Sequence, residues 1–276
     1  MKQKLLMTSL LMTCSVPVVF ADVSNYVIDK QNEALTQNTL GKGFGPQSPR
    51  DIDNLEGRNK RLFSLAPSYT EMNLCNIHFH KNAEHKGGEF TNYAGNGDGK
   101  GYGTGYLYNG QLTESELKPY VIQGKGAELR SGDTIELHYV HSSAQVEPGS
   151  TLAACIDESI GNPQLRVETQ VYVLVNDTKA FDFNELTRFG ERNGYYQAMN
   201  IPNNTGEPVV YAGSTTGPSY NEQGSSLQVT WSVRPKVVKV NIASVAQWLE
   251  SNEFNEDHAH GVRNLVTNPD LLSSGR

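Results

Sequence analysis

The sequence predicts a single, mainly β domain with a few short helices, and three observations carry the prediction. Cys75-Asn76-Ile77-His78-Phe79-His80 and Thr134-Ile135-Glu136-Leu137-His138-Tyr139-Val140-His141 both alternate between two sets of side chains, the pattern of a strand. Gln164 to Asn176 holds Leu165-Arg166-Val167 and Val171-Tyr172-Val173-Leu174-Val175, a β-rich run continuous enough for a central strand. Only Ala243 to Glu250 reads as a committed helix, with a second helical possibility around Lys30 to Leu40.

The two alternating stretches are where chemistry gathers. In an extended strand successive side chains point to opposite faces, so His78 and His80 share one face while Ile77 and Phe79 pack on the other. Two neutral imidazoles one strand step apart form two corners of a tetrahedral metal site, and Zn²⁺ held by three histidines with an open fourth position is a known catalytic arrangement. The second strand supplies the third corner, with Glu136, His138 and Val140 on one face and Ile135, Leu137 and Tyr139 on the other. Glu136, two residues from His138, is placed to accept the proton on the other ring nitrogen and so fix the tautomer. His78, His80 and His138 are therefore the candidate metal ligands. The plain alternative is three half-buried polar side chains with no ion.

The remaining segments follow from turn chemistry and short β patterns. Residues 22–46 are polar and read as an N-terminal arm laid over the body, followed by Gln47-Ser48-Pro49-Arg50-Asp51-Ile52. The prolines Pro46 and Pro49 fix φ there and make a rigid turn. Tyr93 to Tyr106, rich in Gly and Tyr, reads as a long surface loop, since it lacks both a phosphate-loop ending and the acids of a Ca²⁺ loop. Residues 181–206 read as loop with one short helix, Val209–Tyr211, Leu227–Val233 and Lys236–Val240 as strands, and 251–276 as a polar tail.

The chain has 276 residues, and Met1 to Ala21 follow the plan of a secretory signal peptide, with Lys2 and Lys4 before an apolar run and Val19-Phe20-Ala21 before Asp22. An exported protein, periplasmic or secreted, is expected, made of one domain over 22–276. Loss of the leader takes the net charge from −7 to −9, which argues against nucleic acid or an anionic membrane surface as partner. The leader also removes Cys14, leaving Cys75 and Cys155. In an oxidising compartment this pair suggests a disulfide, the alternative being two buried thiols.

Several of these pieces, taken together and in order, resemble the carbonic anhydrases of the alpha class and the related delta class. The Gln47 to Ile52 turn looks like the alpha family's QSPxDI segment, His78-Phe79-His80 like its paired zinc histidines, and Glu136 to His141 like its ELHLVH strand. Tyr211-Ala212-Gly213-Ser214-Thr215-Thr216 resembles the YPGSLT loop and Val229-Thr230-Trp231 the VTW strand. The compact HFHKNAEH, with Glu84 four residues after His80, and the preceding Cys75 look more like the delta class.

The resemblance implies a central, largely antiparallel sheet and reversible hydration of CO₂ to bicarbonate and a proton by a hydroxide formed on Zn²⁺, or on another divalent transition metal in its place. It implies catalytic roles for Thr216, which would take the hydroxide's hydrogen bond, and Glu84, which would accept the threonine proton. Glu136 would stand behind His138, and Val140, Val229 and Trp231 would wall the CO₂ pocket, with Val171 or Val173 adding to it. His85 and His141 would be hydrogen-bonded core residues.

The departures are as specific. No histidine precedes His78, so the alpha family's proton-shuttle position is missing, and buffer or a tail histidine, His258 or His260, must serve. Thr215 stands where that family has an apolar wall residue, and Gly217 where it often has a second threonine. Two rivals remain: a cupin, in which Glu84 would join the histidines on Fe or Mn, and an exported carrier that keeps the fold and binds metal without turnover.

Overall fold

The computed structural model describes residues 22–216 and 220–274; residues 1–21, read above as a signal peptide, and Gly217 lie outside the described residues. A six-stranded sheet runs through the middle in the order β1 (Asn73–Lys81), β4 (Thr134–Ser142), β5 (Gln164–Val175), β9 (Gln228–Val233), β8 (Val209–Ala212), with β10 (Val238–Asn241) also on β5. The sheet is mixed. β1–β4, β4–β5 and β8–β9 are antiparallel, whereas β9 and β10 both lie parallel to β5.

The twelve residues of β5 explain that arrangement. One edge runs along β4, and the other is shared end to end by β9 against Gln164–Thr169 and β10 against Tyr172–Val175. A strand enclosed on both edges and both faces needs the continuous apolar run that 171–175 provides.

Each face of the sheet builds its own core. Ile77, Phe79, Leu137, Tyr139 and Tyr172 pack with Phe183 of α2 (Phe183–Leu186) and with Val245, Trp248 and Leu249 of α3 (Ile242–Glu250). Cys75, Val140, Leu165, Val167, Val171, Val229 and Trp231 form the core of the opposite face, the one that carries the histidines. A sheet buried on both sides is thereby held between two apolar layers, and the polar ligands enter only where the second layer opens.

Three segments depart from the sequence reading. Tyr93 to Tyr106 is not a plain loop but a small antiparallel hairpin, β2 (Asn92–Asn96) and β3 (Thr104–Leu107). Its turn depends on Gly97 at φ 57°, where an added Cβ would meet the Tyr102 carbonyl oxygen at 2.1 Å. The 181–206 segment contains, besides α2, a second hairpin of β6 (Phe189–Arg192) and β7 (Tyr195–Ala198). Neither hairpin has an apolar alternation long enough to be read as strand from sequence.

The third is the tail. Its polar composition conceals buried anchors at Phe254, Ala259, Val262, Val266, Leu271 and Leu272, and it returns across the body to extend the β1 edge. There His260 N–H donates to the Phe79 carbonyl and Lys81 N–H to the His260 carbonyl, both at 2.9 Å. The N-terminal helix α1 (Asn25–Thr39) is laid on this tail, with Leu35 packed among Val266, Leu271 and Leu272.

Candidate active site

Antiparallel register brings the three predicted ligands together. His78 stands directly opposite His138, and His80 opposite Glu136. One ring nitrogen from each of His78, His80 and His138 falls within a cluster whose members all lie within 4.8 Å of one another.

Hydrogen bonding fixes which nitrogens face inward. Asn76 Nδ2 donates to the Gly149 carbonyl at 3.0 Å, so the amide oxygen must be the atom 2.6 Å from His78 Nδ1, and that nitrogen carries the proton. His80 Nδ1 donates to the Gly261 carbonyl at 2.9 Å, and His138 Nε2 to Glu136 Oε1 at 2.6 Å. The inward atoms are therefore His78 Nε2, His80 Nε2 and His138 Nδ1, each with an exposed lone pair.

With both rings in the tautomers these bonds set, and each carrying a single proton, His78 Nε2 and His138 Nδ1 stand 3.3 Å apart with their lone pairs facing. Two facing lone pairs repel, and a cation between them turns the repulsion into binding. Burial, then the neighbouring imidazoles, hold His78 well below the usual histidine range; burial likewise takes His80 down to about 4. Three imidazoles whose second nitrogens are oriented by hydrogen bonds are a donor set that fits Zn²⁺ or a similar divalent transition metal.

Glu136 is fully buried, which opposes its charge, yet His85 and His138 hold it well below the carboxylate range. Its two oxygens take the His138 and His85 ring protons and the His85 backbone N–H. His85 Nε2 in turn meets Tyr211 Oη at 2.8 Å, and Tyr211 meets Ser48 Oγ at 2.6 Å. His141 is a core residue too, bonded to the Tyr139 carbonyl.

Glu84 lines the cavity but stays out of the ligand cluster. Its Oε2 accepts the Arg263 backbone N–H at 2.8 Å and its Oε1 lies 3.2 Å from Arg50 Nη1. A carboxylate so engaged does not serve the cupin arrangement. Thr216 is buried and donates to Asn221 Oδ1 at 3.3 Å, so the expected direct Thr216–Glu84 hydrogen bond is not formed among the described residues.

The histidines open into a cavity of about 530 Å³. Val140, Val229 and Trp231 line it together with Leu165, Val167 and Leu227, while Val171 and Val173 lie in the core instead. Thr215 sits on the wall, whereas Thr216 is buried and does not line the cavity.

The delta carbonic anhydrase family model matches residues 69–244. The chain belongs to the delta carbonic anhydrase family. That span contains all three histidines, Glu84, Glu136, Thr216 and Trp231, and carbonic anhydrase activity, CO₂ hydration, is the reaction the membership assigns. Solved structures similar to this carbonic anhydrase include the alpha-carbonic anhydrase of Thermovibrio ammonificans in complex with sulfanilamide (17% identity, 78% of this chain and 83% of that one, TM-score 0.26). A hyperthermostable carbonic anhydrase identified from an active hydrothermal vent chimney (16%, 82% and 86%, 0.28) is another. The Photobacterium profundum alpha-carbonic anhydrase (16%, 82% and 88%, 0.27) is a third. Likenesses this distant add no argument to the family match. None of the curated proteins matches the chain.

Several functional neighbours in this carbonic anhydrase escaped the sequence reading. Asn76 orients His78 as Glu136 orients His138, and its place two residues earlier on the same strand face was a usable signal. Gly261 and Arg263 act through backbone atoms, which leave no mark in a sequence. His260, named only as one of two tail candidates, stands on the cavity wall with its ring 5.5 Å from that of His78; His258, paired with Asp257, does not line the cavity. The disulfide between Cys75 and Cys155 is formed. Among the described residues no helix is long and apolar enough to cross a membrane.

Proposed function

We propose that His78, His80 and His138 hold one Zn²⁺, and that this carbonic anhydrase hydrates CO₂ to bicarbonate and a proton in the adjoining apolar cavity after export. A divalent metal held by three imidazoles supplies a water-derived nucleophile at neutral pH. The chain's own residues do the rest. Val140, Val229, Trp231, Leu165 and Val167 offer CO₂ an apolar wall that water wets poorly. Thr216, buried next to the wall residue Thr215, has its own proton committed to Asn221, so its hydroxyl oxygen can serve only as an acceptor; orienting the attacking oxygen requires that oxygen to turn into the cavity. Glu84, an ionised carboxylate at the cavity, fixes the polar side of the site. His260, half-exposed and bonded through Nε2 to Glu256, leads from the cavity to solvent as the route for the released proton.

The single observation that supports zinc chemistry most is the convergence of one ring nitrogen from each of His78, His80 and His138, all within 4.8 Å of one another. Metal analysis of the purified chain joined to stopped-flow CO₂ hydration tests the reading. One zinc per chain with a rate that chelation abolishes supports it. Stoichiometric metal with hydration at the uncatalysed rate would instead establish a carrier.

A further inference from the structure

We infer that Arg50 is a positioning residue that holds the Glu84 carboxylate and, through Asn264 and Asn221, the Thr216 hydroxyl in one fixed relation to the cavity. The inference deepens the proposed CO₂-hydrating site and rests on that reading. Arg50 lies outside the family match, and above it figures only as the neighbour of Glu84 Oε1.

The geometry is that of a hub. The Arg50 side chain is fully buried, and Glu84 is its one ion-pair partner among the described residues, at 3.2 Å from Nη1. Its Nη2 donates to the Asn264 carbonyl. The Asn264 N–H donates to Asn221 Oδ1 at 3.2 Å, and the same oxygen accepts from Thr216 Oγ1 at 3.3 Å. Because a backbone N–H can only donate, it settles which end of the Asn221 amide faces Thr216 and hence which way the threonine proton points. Glu84 and Thr216, which share no hydrogen bond among the described residues, are thus linked by an ion pair to one guanidinium and by hydrogen bonds through one backbone unit.

The backbone at Arg50 argues that the side chain is there for a reason. Its φ is 55°, a left-handed conformation that favours glycine, and the following turn is stapled by Lys86 N–H to the Arg50 carbonyl at 2.8 Å and Ile52 N–H to the Lys86 carbonyl at 2.8 Å. A large cation at a position that glycine would occupy without strain points to a role for the guanidinium itself.

The test compares Arg50→Met, Arg50→Lys, Glu84→Gln and the Arg50→Met/Glu84→Gln double variant. In the zinc-loaded enzyme, Arg50→Met is expected to keep one zinc per chain while kcat/KM for CO₂ falls about 10- to 100-fold. Arg50→Lys is expected to recover part of kcat/KM, and the double variant to be no worse than Glu84→Gln alone. In the metal-free proteins, denaturant unfolding of the same set is expected to show non-additive losses, with the double variant less damaged than the two singles combined. Wild-type kcat/KM in both Arg50 variants, or additive losses throughout, would overturn the inference. Should Arg50→Met fail to fold, Arg50→Lys with wild-type kcat/KM and zinc would overturn it, and a kcat/KM loss at full zinc content would support it. Should the wild type itself not hydrate CO₂, the function reading fails, while coupling in the metal-free cycle still decides whether Arg50 positions Glu84.

Discussion

Oε1 of Glu136 stands 2.6 Å from Nε2 of His138, and that single contact turns the ring so that Nδ1 faces the other two histidines. The same oxygen lies 2.7 Å from His85 Nδ1, so one atom serves both a ligand and a core histidine. Replacing Glu136 by Gln keeps the shape but puts an amide where a charged acceptor was, and the amide can present a donor to a nitrogen that already carries a proton. Zinc affinity, measured by competition with a chromophoric chelator, is expected to weaken about 10- to 100-fold. Unchanged affinity would mean that packing alone sets the His138 ring.

His138→Ala removes one corner of the cluster without touching the backbone register of β1 and β4. The protein is expected to stay folded, to lose stoichiometric zinc and to lose CO₂ hydration, as read by metal analysis, circular dichroism and stopped flow. Retention of both metal and turnover would exclude this residue as a ligand.

The ligand strands were legible because their chemistry and their periodicity coincide. His78, His80 and His138 fall on one face by the two-residue strand repeat, and the apolar residues between them, Ile77, Phe79, Leu137 and Tyr139, pack on the other. What stayed hidden has physical causes. The parallel placement of β9 and β10 against β5 depends on how distant segments share one strand edge, which no local pattern encodes. The tail read as solvated because its polar residues outnumber its anchors, although Val262 and Leu272 decide where it lies. Arg50 was hidden inside a turn recognised by its prolines, with nothing local to show that its side chain points inward.

The Cys75–Cys155 bridge closes a loop of 80 residues, and in the chain-entropy account such a loop is worth about 4 to 5 kcal/mol. The bond also ties β1 to the segment whose Gly149 carbonyl holds Asn76, and whose Thr151 and Leu152 line the cavity. Cys75→Ser/Cys155→Ser is therefore expected to lower unfolding free energy by a few kcal/mol and to weaken zinc binding as well. Lost stability with unaltered zinc affinity would confine the bridge to a structural role.

Acid should unfold the metal-free protein through groups whose signs agree, His78, His80 and His141 among the histidines and Glu84 and Glu136 among the carboxylates. His141 is fully buried, and burial followed by the Arg166 charge takes it down from the ordinary value near 6.5 to about 3. A histidine kept neutral by folding adds stability above its unfolded pKa and loses it as pH falls from about 6.5 through about 3. Glu84, lowered to about 2, adds stability above the ordinary carboxylate pKa and loses it between about 4.5 and 2. Each pKa unit corresponds to about 1.4 kcal/mol. Denaturant midpoints are expected to drop steadily below pH 6.5, and His141→Gln to flatten the upper part of that slope. An unchanged slope would place the proton uptake elsewhere.

Every turnover must also move a proton out of a cavity whose ligands are nearly enclosed, and the proposed carrier is the His260 ring. It lies 5.5 Å from His78 and 5.9 Å from His80, its side chain is 41% exposed, and Glu256 anchors its Nε2 at 2.6 Å. A residue that only carries protons affects the step after CO₂ has reacted. His260→Ala is therefore expected to lower kcat roughly tenfold or more in dilute buffer, with kcat/KM for CO₂ unchanged. Concentrated imidazole buffer, which can enter and take the proton itself, should restore most of the loss. His258→Ala is the control, since its ring is paired with Asp257 and does not line the cavity. Equal rates in dilute and concentrated buffer for wild type and His260→Ala alike would show that the proton leaves by another path.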